Sequence, residues 1–181
     1  MILYPGVLVF WLVMHTKIER WRRVGKRAYW IASAGWPATA LPLLYFRSSI
    51  FSVQWSRPVW LQLGGVAAFI AAVALALEAS KVMTWRTLVG LPELEPQKNR
   101  QPVLSSGIYT RTRNPIYLAH WLVIFSAAAV TGFAANWIFF ALDCGLLPLM
   151  IFAEERELLS RYGQEFRAYM RRTPRFFPKL R

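Results

Sequence analysis

The chain has 181 residues, of which 56% are hydrophobic and 17% charged, and its formal net charge is +13. This composition excludes an ordinary soluble domain of the same length, because the apolar residues form long blocks without charges. A single cysteine, Cys144, excludes a disulfide framework and a thiolate metal site, and two histidines are too few to suggest a metal cluster. The composition predicts an integral membrane protein.

Three apolar blocks in the first half of the chain contain no Asp, Glu, Lys or Arg. They are Ile2–Thr16, Ala28–Phe46 and Pro58–Leu77. Each approaches the roughly 20 residues that a helix needs to cross the hydrocarbon core of a bilayer. The first block lacks a preceding basic segment and a following small-residue cleavage site, so we expect it to be a span and not a signal peptide.

A fourth block, residues 116–152, contains one charged residue, Asp143, and is too long for a single span. The turn-forming stretch at residues 131–136 interrupts it, which predicts a helical hairpin with arms Ile116–Val130 and Trp137–Phe152. The chain is therefore predicted to be all-α, a polytopic membrane helical bundle of about five spans in a single membrane domain.

The basic residues indicate how such a bundle would be oriented. Residues 17–27 hold six, residues 81–113 hold six and the tail from residue 156 holds eight, so 20 of the 22 fall in three segments. The positive-inside rule then places the N-terminus outside and these three segments, with the C-terminus, in the cytoplasm. We expect the cationic face to attract anionic lipid headgroups, and we expect no nucleic-acid partner.

Two cytoplasmic pieces stand out. Pro92, Pro96 and Pro102 rule out a continuous helix in residues 80–113, and a long irregular segment of this kind is often a lid or binding loop. The C-terminal tail has apolar residues at spacings of three and four, which predicts an amphipathic helix that Gly163 interrupts and Pro174 ends. This tail would lie against the inner face of the membrane or fold back over the bundle.

The stretch GIYTRTRNPIYLAH, residues 107–120, places cationic and aromatic residues at the start of the hairpin. It could anchor a helix end at the headgroups, or it could be half of a binding site. A hairpin would bring Arg113 and Tyr117 close to Glu154 and Glu155 at the cytoplasmic surface. Guanidinium groups facing a carboxylate pair, beside aromatic rings and under an irregular loop, suit a zwitterionic small molecule.

The motifs of this region resemble those of the small integral-membrane methyltransferases, which include isoprenylcysteine carboxyl methyltransferases and phospholipid N-methyltransferases. The resemblance covers residues 104–178 and leaves 1–103 as N-terminal spans and loop. The matching residues are Gly107-Ile108-Tyr109, Arg113-Asn114-Pro115-Ile116-Tyr117, Glu154-Glu155-Arg156-Glu157-Leu158, Tyr162-Gly163, Phe166 and Tyr169.

The resemblance implies that S-adenosylmethionine is the methyl donor, bound at the cytoplasmic side without a Rossmann domain, and that a lipid-like acceptor arrives from the bilayer. It implies that Glu154 and Glu155 lie opposite a wall formed by Tyr109, Arg113, Asn114, Pro115 and Tyr117, and that one of the two glutamates is the nearest base for an acceptor that must lose a proton. His120 lies one helical turn beyond Tyr117 and is a further cofactor-binding candidate, although a structural hydrogen bond to a neighbouring span is the alternative.

The chain departs from the family pattern at two places. Asn114 stands where many members have histidine, and residues 149–152 lack the arginine that prenylcysteine enzymes carry just before the acidic pair. A phospholipid amine or another amphiphile is therefore favoured over a prenylcysteine carboxylate as acceptor. The alternative function is a non-catalytic membrane scaffold or lipid-binding subunit with the same fold, and the sequence does not give the oligomeric state.

Overall fold

The computed structural model describes residues 11–99 and 101–178, and this part of the chain is predominantly helical. Its only β-type pairing is an isolated bridge between Gln54 and Phe133, so the all-α prediction is confirmed. Helix α1 contains residues 11–16. The later helices are α2 (Ile18–Val24), α3 (Arg27–Tyr45), α4 (Arg47–Ile50), α5 (Val59–Ser80), α6 (Trp85–Leu88), α7 (Leu91–Leu94), a 3₁₀ helix (Gly107–Thr110), α8 (Pro115–Thr131), α9 (Ala134–Tyr162) and α10 (Gln164–Arg172).

Within the described residues, two helices are long and apolar enough to cross a membrane, namely α5 and α9. Helix α8 is also apolar but has only 17 residues, and α3, with 19 residues, occupies the second predicted block. Most of the first predicted block, Ile2–Thr16, lies outside the described residues. The count of five spans and the orientation of the bundle therefore stay predictions.

Helix α5 exposes a large apolar surface. Trp60, Leu63, Phe69, Ile70 and Leu77 are all more than half exposed. A continuous apolar surface of this kind marks a membrane or protein contact, because water would not favour it. This exposure agrees with the apolar length of α5 in indicating a membrane-embedded helix.

Helices α8 and α9 form the predicted hairpin. Gly132 ends α8 in the left-handed region, at φ +67°, and its N–H donates to the carbonyl of Ala128 at 2.9 Å. Glycine adopts this conformation without a steric penalty from Cβ, which is why it often ends helices. Phe133 then caps α9, so the break expected over residues 131–136 needs only two residues.

Helix α9 is longer than predicted, because it continues ten residues beyond Phe152, the predicted end of the fifth span. Residues 153–162, AEERELLSRY, contain no Gly or Pro and are mostly strong helix formers, so nothing stops the helix where the apolar block ends. The acidic pair, Glu154 and Glu155, is therefore held on a rigid helix. As predicted, the helix is interrupted at Gly163, which has φ +56°.

The tail folds back over the bundle, which is one of the two placements expected from the sequence. Helix α10 buries Phe166 and Tyr169, and the Tyr169 hydroxyl donates to the carbonyl of Tyr109 at 2.7 Å. After α10, the backbone N–H of Arg113 donates to the carbonyl of Pro174 at 3.0 Å, and the Thr112 hydroxyl donates to that of Phe176 at 2.7 Å. These bonds fix the tail against the segment that precedes α8.

Candidate functional site

A cavity of about 180 Å³, partly open to solvent, lies where α1, the loop before α8, the C-terminal part of α9 and α10 meet. Seven of the eight residues predicted from the sequence to bind a cofactor line it: Tyr109, Arg113, Asn114, Pro115, Tyr117, Glu154 and Glu155. The segments that supply them are far apart in the sequence and are brought together by the hairpin and by the return of the tail. The lining places these residues together but does not by itself assign them roles.

Arg113 and Glu155 are bound to each other and to the tail. Arg113 donates to Glu155 Oε1 from Nε at 3.0 Å, and its Nη2 lies 2.9 Å from the same oxygen. Its Nη1 donates to the carbonyls of Met170 and Thr173, at 2.8 and 2.9 Å. The second carboxylate oxygen, Oε2, accepts from Arg175 Nε at 2.9 Å. This buried cluster therefore forms a fixed wall of the cavity.

Asn114 belongs to the same wall. Its side-chain Nδ2 donates to the carbonyl of Arg175 at 2.8 Å and lies 3.5 Å from Glu155 Oε1. An amide is a suitable side chain here, because it donates these bonds without a charge that burial would disfavour. Asn114 is thus engaged with the tail in the position where many members of the resembling family have histidine.

Glu154 lies one residue along α9 from Glu155 but in a different environment. Its Oε2 is buried and has no hydrogen-bond partner among the described residues. The nearest cationic candidate is His15, whose Nε2 is 4.0 Å away, beyond hydrogen-bond distance. The Tyr117 hydroxyl lies beside both groups, 3.5 Å from His15 Nε2. Glu154 Oε2 is therefore a buried acceptor without a hydrogen bond among the described residues, while the Tyr117 hydroxyl interacts with the same carboxyl group.

Two more buried polar atoms on this cavity lack a partner within the described part of the chain: the hydroxyl of Tyr109 and Nδ1 of His15. Burial, followed by the nearby charges of Glu154 and Tyr169, raises the pKa of Tyr109 above its ordinary value, so its hydroxyl keeps its proton. Buried polar groups in proteins are nearly always hydrogen-bonded, and exceptions point to a function or to a missing partner. Residues with three such atoms line one cavity, which makes this cavity the candidate site for a polar ligand.

Glu93, on α7, closes the cavity from the side of the loop. It is buried, and burial followed by the charges of Glu154 and Glu157 raises its pKa to about 8, while Arg161 and Arg22 act in the opposite direction. The carboxyl of Glu93 is therefore predominantly neutral at pH 7.

His120 is the predicted residue that does not line this cavity. Its Nε2 lies 3.9 Å from Oδ1 of Asp143, a fully buried carboxyl on α9. This placement agrees with the structural alternative, a polar contact to the neighbouring helix of the hairpin.

His15 and Glu93 are the site residues that the sequence motifs missed. His15 is the next-to-last residue of the first apolar block, two residues before the first cationic segment, and its ring stacks on Trp11 with centroids 5.5 Å apart. Glu93 lies among the prolines of the loop that we expected to act as a lid. The available signal for His15 was a lone ionisable residue near the end of an apolar block, because such residues usually have a partner.

The described residues contain no group of three or more His, Cys, Asp or Glu side chains arranged to hold a metal ion. The lining of the cavity combines carboxyl, guanidinium, amide, phenol, imidazole and other aromatic groups.

Comparison with known proteins gives distant relatives of two kinds. No protein-family model and no solved structure matches the chain. The cobalt-zinc-cadmium resistance protein CzcN of Cupriavidus metallidurans is 33% identical over 141 residues, which are 77% of this chain and 59% of that protein. The nickel-cobalt-cadmium resistance protein NccN of Alcaligenes xylosoxydans xylosoxydans is 35% identical over 78 residues, 43% of this chain and 37% of that protein.

A third relative is an enzyme. Methanethiol S-methyltransferase 2 of Bradyrhizobium diazoefficiens is 26% identical over 173 residues, covering 80% of this chain and 64% of the enzyme. The chain spans less than two thirds of each of these three relatives. It is therefore an all-helical protein with membrane-type helices and distant similarity to a methyltransferase and to metal-resistance proteins.

Proposed function

We propose that this chain is an integral-membrane S-adenosylmethionine-dependent methyltransferase that acts on a lipid-like or lipid-linked acceptor. The observation that carries the proposal is a cavity lined by residues with three buried polar atoms that have no hydrogen-bond partner among the described residues: Glu154 Oε2, the Tyr109 hydroxyl and His15 Nδ1. The distant similarity to a methyltransferase supports the same activity.

The residues of the cavity fit S-adenosylmethionine. Glu154 would hold its positive charge, since a carboxylate without a bonded cation is the natural partner of one. The Tyr109 hydroxyl and His15 Nδ1 would bind its polar groups, and the aromatic walls formed by Trp11, Tyr162 and Phe166 suit a flat adenine ring. Arg113 and Glu155 would act indirectly, because they already bind each other and fix the wall on which Glu154 and Tyr109 stand.

Little covalent chemistry is asked of the protein. S-adenosylmethionine supplies a methyl group on a positively charged sulfur, ready for displacement by a nucleophile. The chain would orient the acceptor in line with that group and exclude water, which are the main sources of catalysis in such reactions. For an acceptor that must lose a proton, Glu154 Oε2 is the base that the geometry favours, because Glu155 is occupied by two arginines.

The methyl acceptor is the second part of the proposed reaction. Residues 149–152 provide no arginine to hold a carboxylate, so a phospholipid amine or another amphiphile is favoured over prenylcysteine. The name of the Bradyrhizobium relative adds a small thiol as an acceptor class to be tested. The exposed apolar surface of α5 is compatible with an acceptor that is dissolved in the bilayer.

The metal-resistance relatives suggest no second activity that the described residues support, because no metal-binding group is found among them. The alternative stays a non-catalytic membrane scaffold or lipid-binding subunit with the same fold.

The first test is calorimetric titration of S-adenosylmethionine into the purified protein in lipid nanodiscs. We expect saturable binding by the wild type and binding at least tenfold weaker in Glu154→Gln and Tyr109→Phe, because each change removes a polar contact from the cavity. Glu165→Gln and Tyr45→Phe, at exposed positions, are the matched controls and should bind like the wild type.

The absence of binding by a folded wild-type protein would contradict the proposal and favour the scaffold. If binding is found, a screen with the methyl-labelled donor against aminophospholipids, prenylcysteine and small thiols identifies the acceptor. Transfer to none of these classes in the presence of tight binding would remove the catalytic part of the proposal.

A further inference from the structure

The carboxyl of Glu93 occupies a space that the backbone keeps free for it. Gly90 has φ +74°, and a Cβ added there would lie 2.7 Å from Glu93 Oε2 and 3.0 Å from the ring of Trp11. Helix α7 is held in place by two arginines, since Arg22 Nε donates to the carbonyl of Glu93 at 2.9 Å and Arg161 Nη1 to that of Pro92 at 2.7 Å. The position of Glu93 at the cavity is therefore fixed from both sides.

The charges around Glu93 do not balance. Three carboxyl groups, those of Glu93, Glu154 and Glu157, lie near two guanidinium groups, those of Arg22 and Arg161. Both arginines bind Glu157: Arg22 through Nη2, and Arg161 through Nη2 at 3.1 Å. Among the described residues, no ion pair joins Glu93 to a cation, and Glu154 has only His15 Nε2 at 4.0 Å. Glu93 and Glu154 line the same cavity, and two carboxylates buried there would repel each other.

The other titratable groups near Glu93 come from several helices. Helix α9 contributes Glu154, Glu157, Arg161 and Tyr162, and α2 contributes Arg22. Tyr29 of α3 and Tyr117 of α8 are also within electrostatic reach, and His15 of α1 lies next to Glu154. Among the described groups that act on Glu93, the two guanidinium groups are both bound to Glu157, and His15 is the remaining basic side chain beside Glu154.

We propose that Glu93 carries a proton in the ligand-free protein and releases it when a positively charged ligand enters, so that the cavity exchanges one proton for one organic cation. The O–H bond of the Glu93 carboxyl breaks, the proton leaves to the solvent, and the resulting carboxylate faces the ligand's charge together with Glu154. The inference rests on the proposed function, in which S-adenosylmethionine is the cation. It makes Glu93, which no motif identifies, a residue that selects ligands by charge.

The exchange has a thermodynamic consequence. When binding releases a proton, affinity rises with pH, by up to about tenfold per pH unit below the pKa of the group that loses it. Over pH 6 to 7, where Glu93 still holds its proton in the free protein, S-adenosylmethionine should therefore bind more tightly at the higher pH.

The test is calorimetric titration of the wild type with S-adenosylmethionine at pH 6.8 in three buffers of different ionisation enthalpy. The dependence of the observed heat on the buffer gives the number of protons released. We expect close to one proton per ligand for the wild type and close to none for Glu93→Gln, which replaces a neutral carboxyl with a neutral amide of the same size. The matched control is Glu95→Gln in the same loop, where the carboxyl pairs with Lys98 at 3.7 Å and the release should be unchanged.

The outcomes separate this inference from the proposed function. Binding without proton release, or release that persists in Glu93→Gln, overturns the exchange and leaves the methyltransferase proposal standing. The absence of binding by the folded wild type overturns both. If Glu93→Gln does not fold, the wild-type affinity between pH 6 and 7 decides: a rise supports the exchange, and a constant affinity overturns it.

Discussion

Arg113 is bound to Glu155 through two nitrogen atoms on a single oxygen, with Nε at 3.0 Å and Nη2 at 2.9 Å. Its remaining nitrogen, Nη1, donates to two carbonyls at the end of α10. One side chain thus connects the start of α8, the end of α9 and the returning tail. Arg113 and Glu155, which the sequence motifs predicted to contact a ligand, bind each other and hold three segments of the chain together.

Removal of Arg113 should therefore reduce stability. We expect Arg113→Ala to lower the free energy of unfolding by about 3 kcal/mol, because the change breaks a buried ion pair. The comparison is Arg175→Ala, whose side chain is 49% exposed and should cost less than about 1 kcal/mol. Thermal unfolding of both variants in the same detergent measures the difference. Equal melting temperatures would contradict the conclusion that Arg113 connects α8, α9 and the tail.

The two adjacent glutamates should have separable roles. Glu155→Gln should lower the melting temperature, because Arg113 and Arg175 lose the charge they share. Glu154→Gln should leave the melting temperature close to that of the wild type and weaken the binding of S-adenosylmethionine. Thermal unfolding and calorimetric titration of both variants test this. If Glu154→Gln were the destabilised variant and Glu155→Gln the one with weaker binding, the structural and ligand-binding roles of the two glutamates would be reversed.

Stability should depend on pH through Glu93. Its pKa is raised in the folded protein to about 8 from the ordinary 4.5, so the folded state holds the proton more tightly than the unfolded state. The stabilisation is complete below pH 4.5 and is lost as the pH rises through the window to about 8. When the pH rises from 6 to 8.5, the melting temperature of the wild type should therefore fall further than that of Glu93→Gln. Parallel pH profiles of the two proteins would argue against a neutral buried carboxyl.

A pair of neighbouring glycines tests the packing of α5 on α8. A Cβ at Gly65 would lie 2.9 Å from Val130 Cγ2 and 3.0 Å from Ala129 Cβ, whereas one at Gly64 would have no atom within 4 Å. Gly65→Ala should destabilise the protein by about 1–3 kcal/mol through overpacking. Gly64→Ala should be neutral or stabilise it by up to about 1 kcal/mol, as alanine favours a helix. Thermal unfolding measures both, and a neutral Gly65→Ala would mean that the two helices can separate.

Local signals in the sequence predicted the helical hairpin and the meeting of its ends. Gly132 stops α8 and Gly163 stops α9 through their own backbone conformations, which a reader of the sequence can anticipate. The proximity of Arg113 to Glu155 followed from the hairpin itself. Helix α9 continues beyond Phe152, the apolar limit of the predicted hairpin arm, because the polar residues that follow are good helix formers.

The remaining parts of the site depend on contacts that have no local signature. Glu93 and His15 reach the cavity through the docking of α7 and α1 on α9, and no spacing in the sequence marks that docking. The hydrogen bonds from Arg113 to the tail carbonyls could not be predicted from the sequence either, because every residue has a backbone carbonyl group. The sequence thus anticipated the residues that share a helical hairpin and missed those that tertiary packing adds.

The return of the tail at Gly163 has a consequence for biosynthesis. The cavity takes walls from Trp11 at one end of the described chain and from Tyr169 near the other, so a ribosome must make almost all of it before the cavity can exist. A nascent chain arrested before α10 can already form its hairpin, but it lacks the residues that close the pocket. Assembly of the site is therefore a late step in synthesis, and competence to bind a ligand should appear only after the tail has left the exit tunnel.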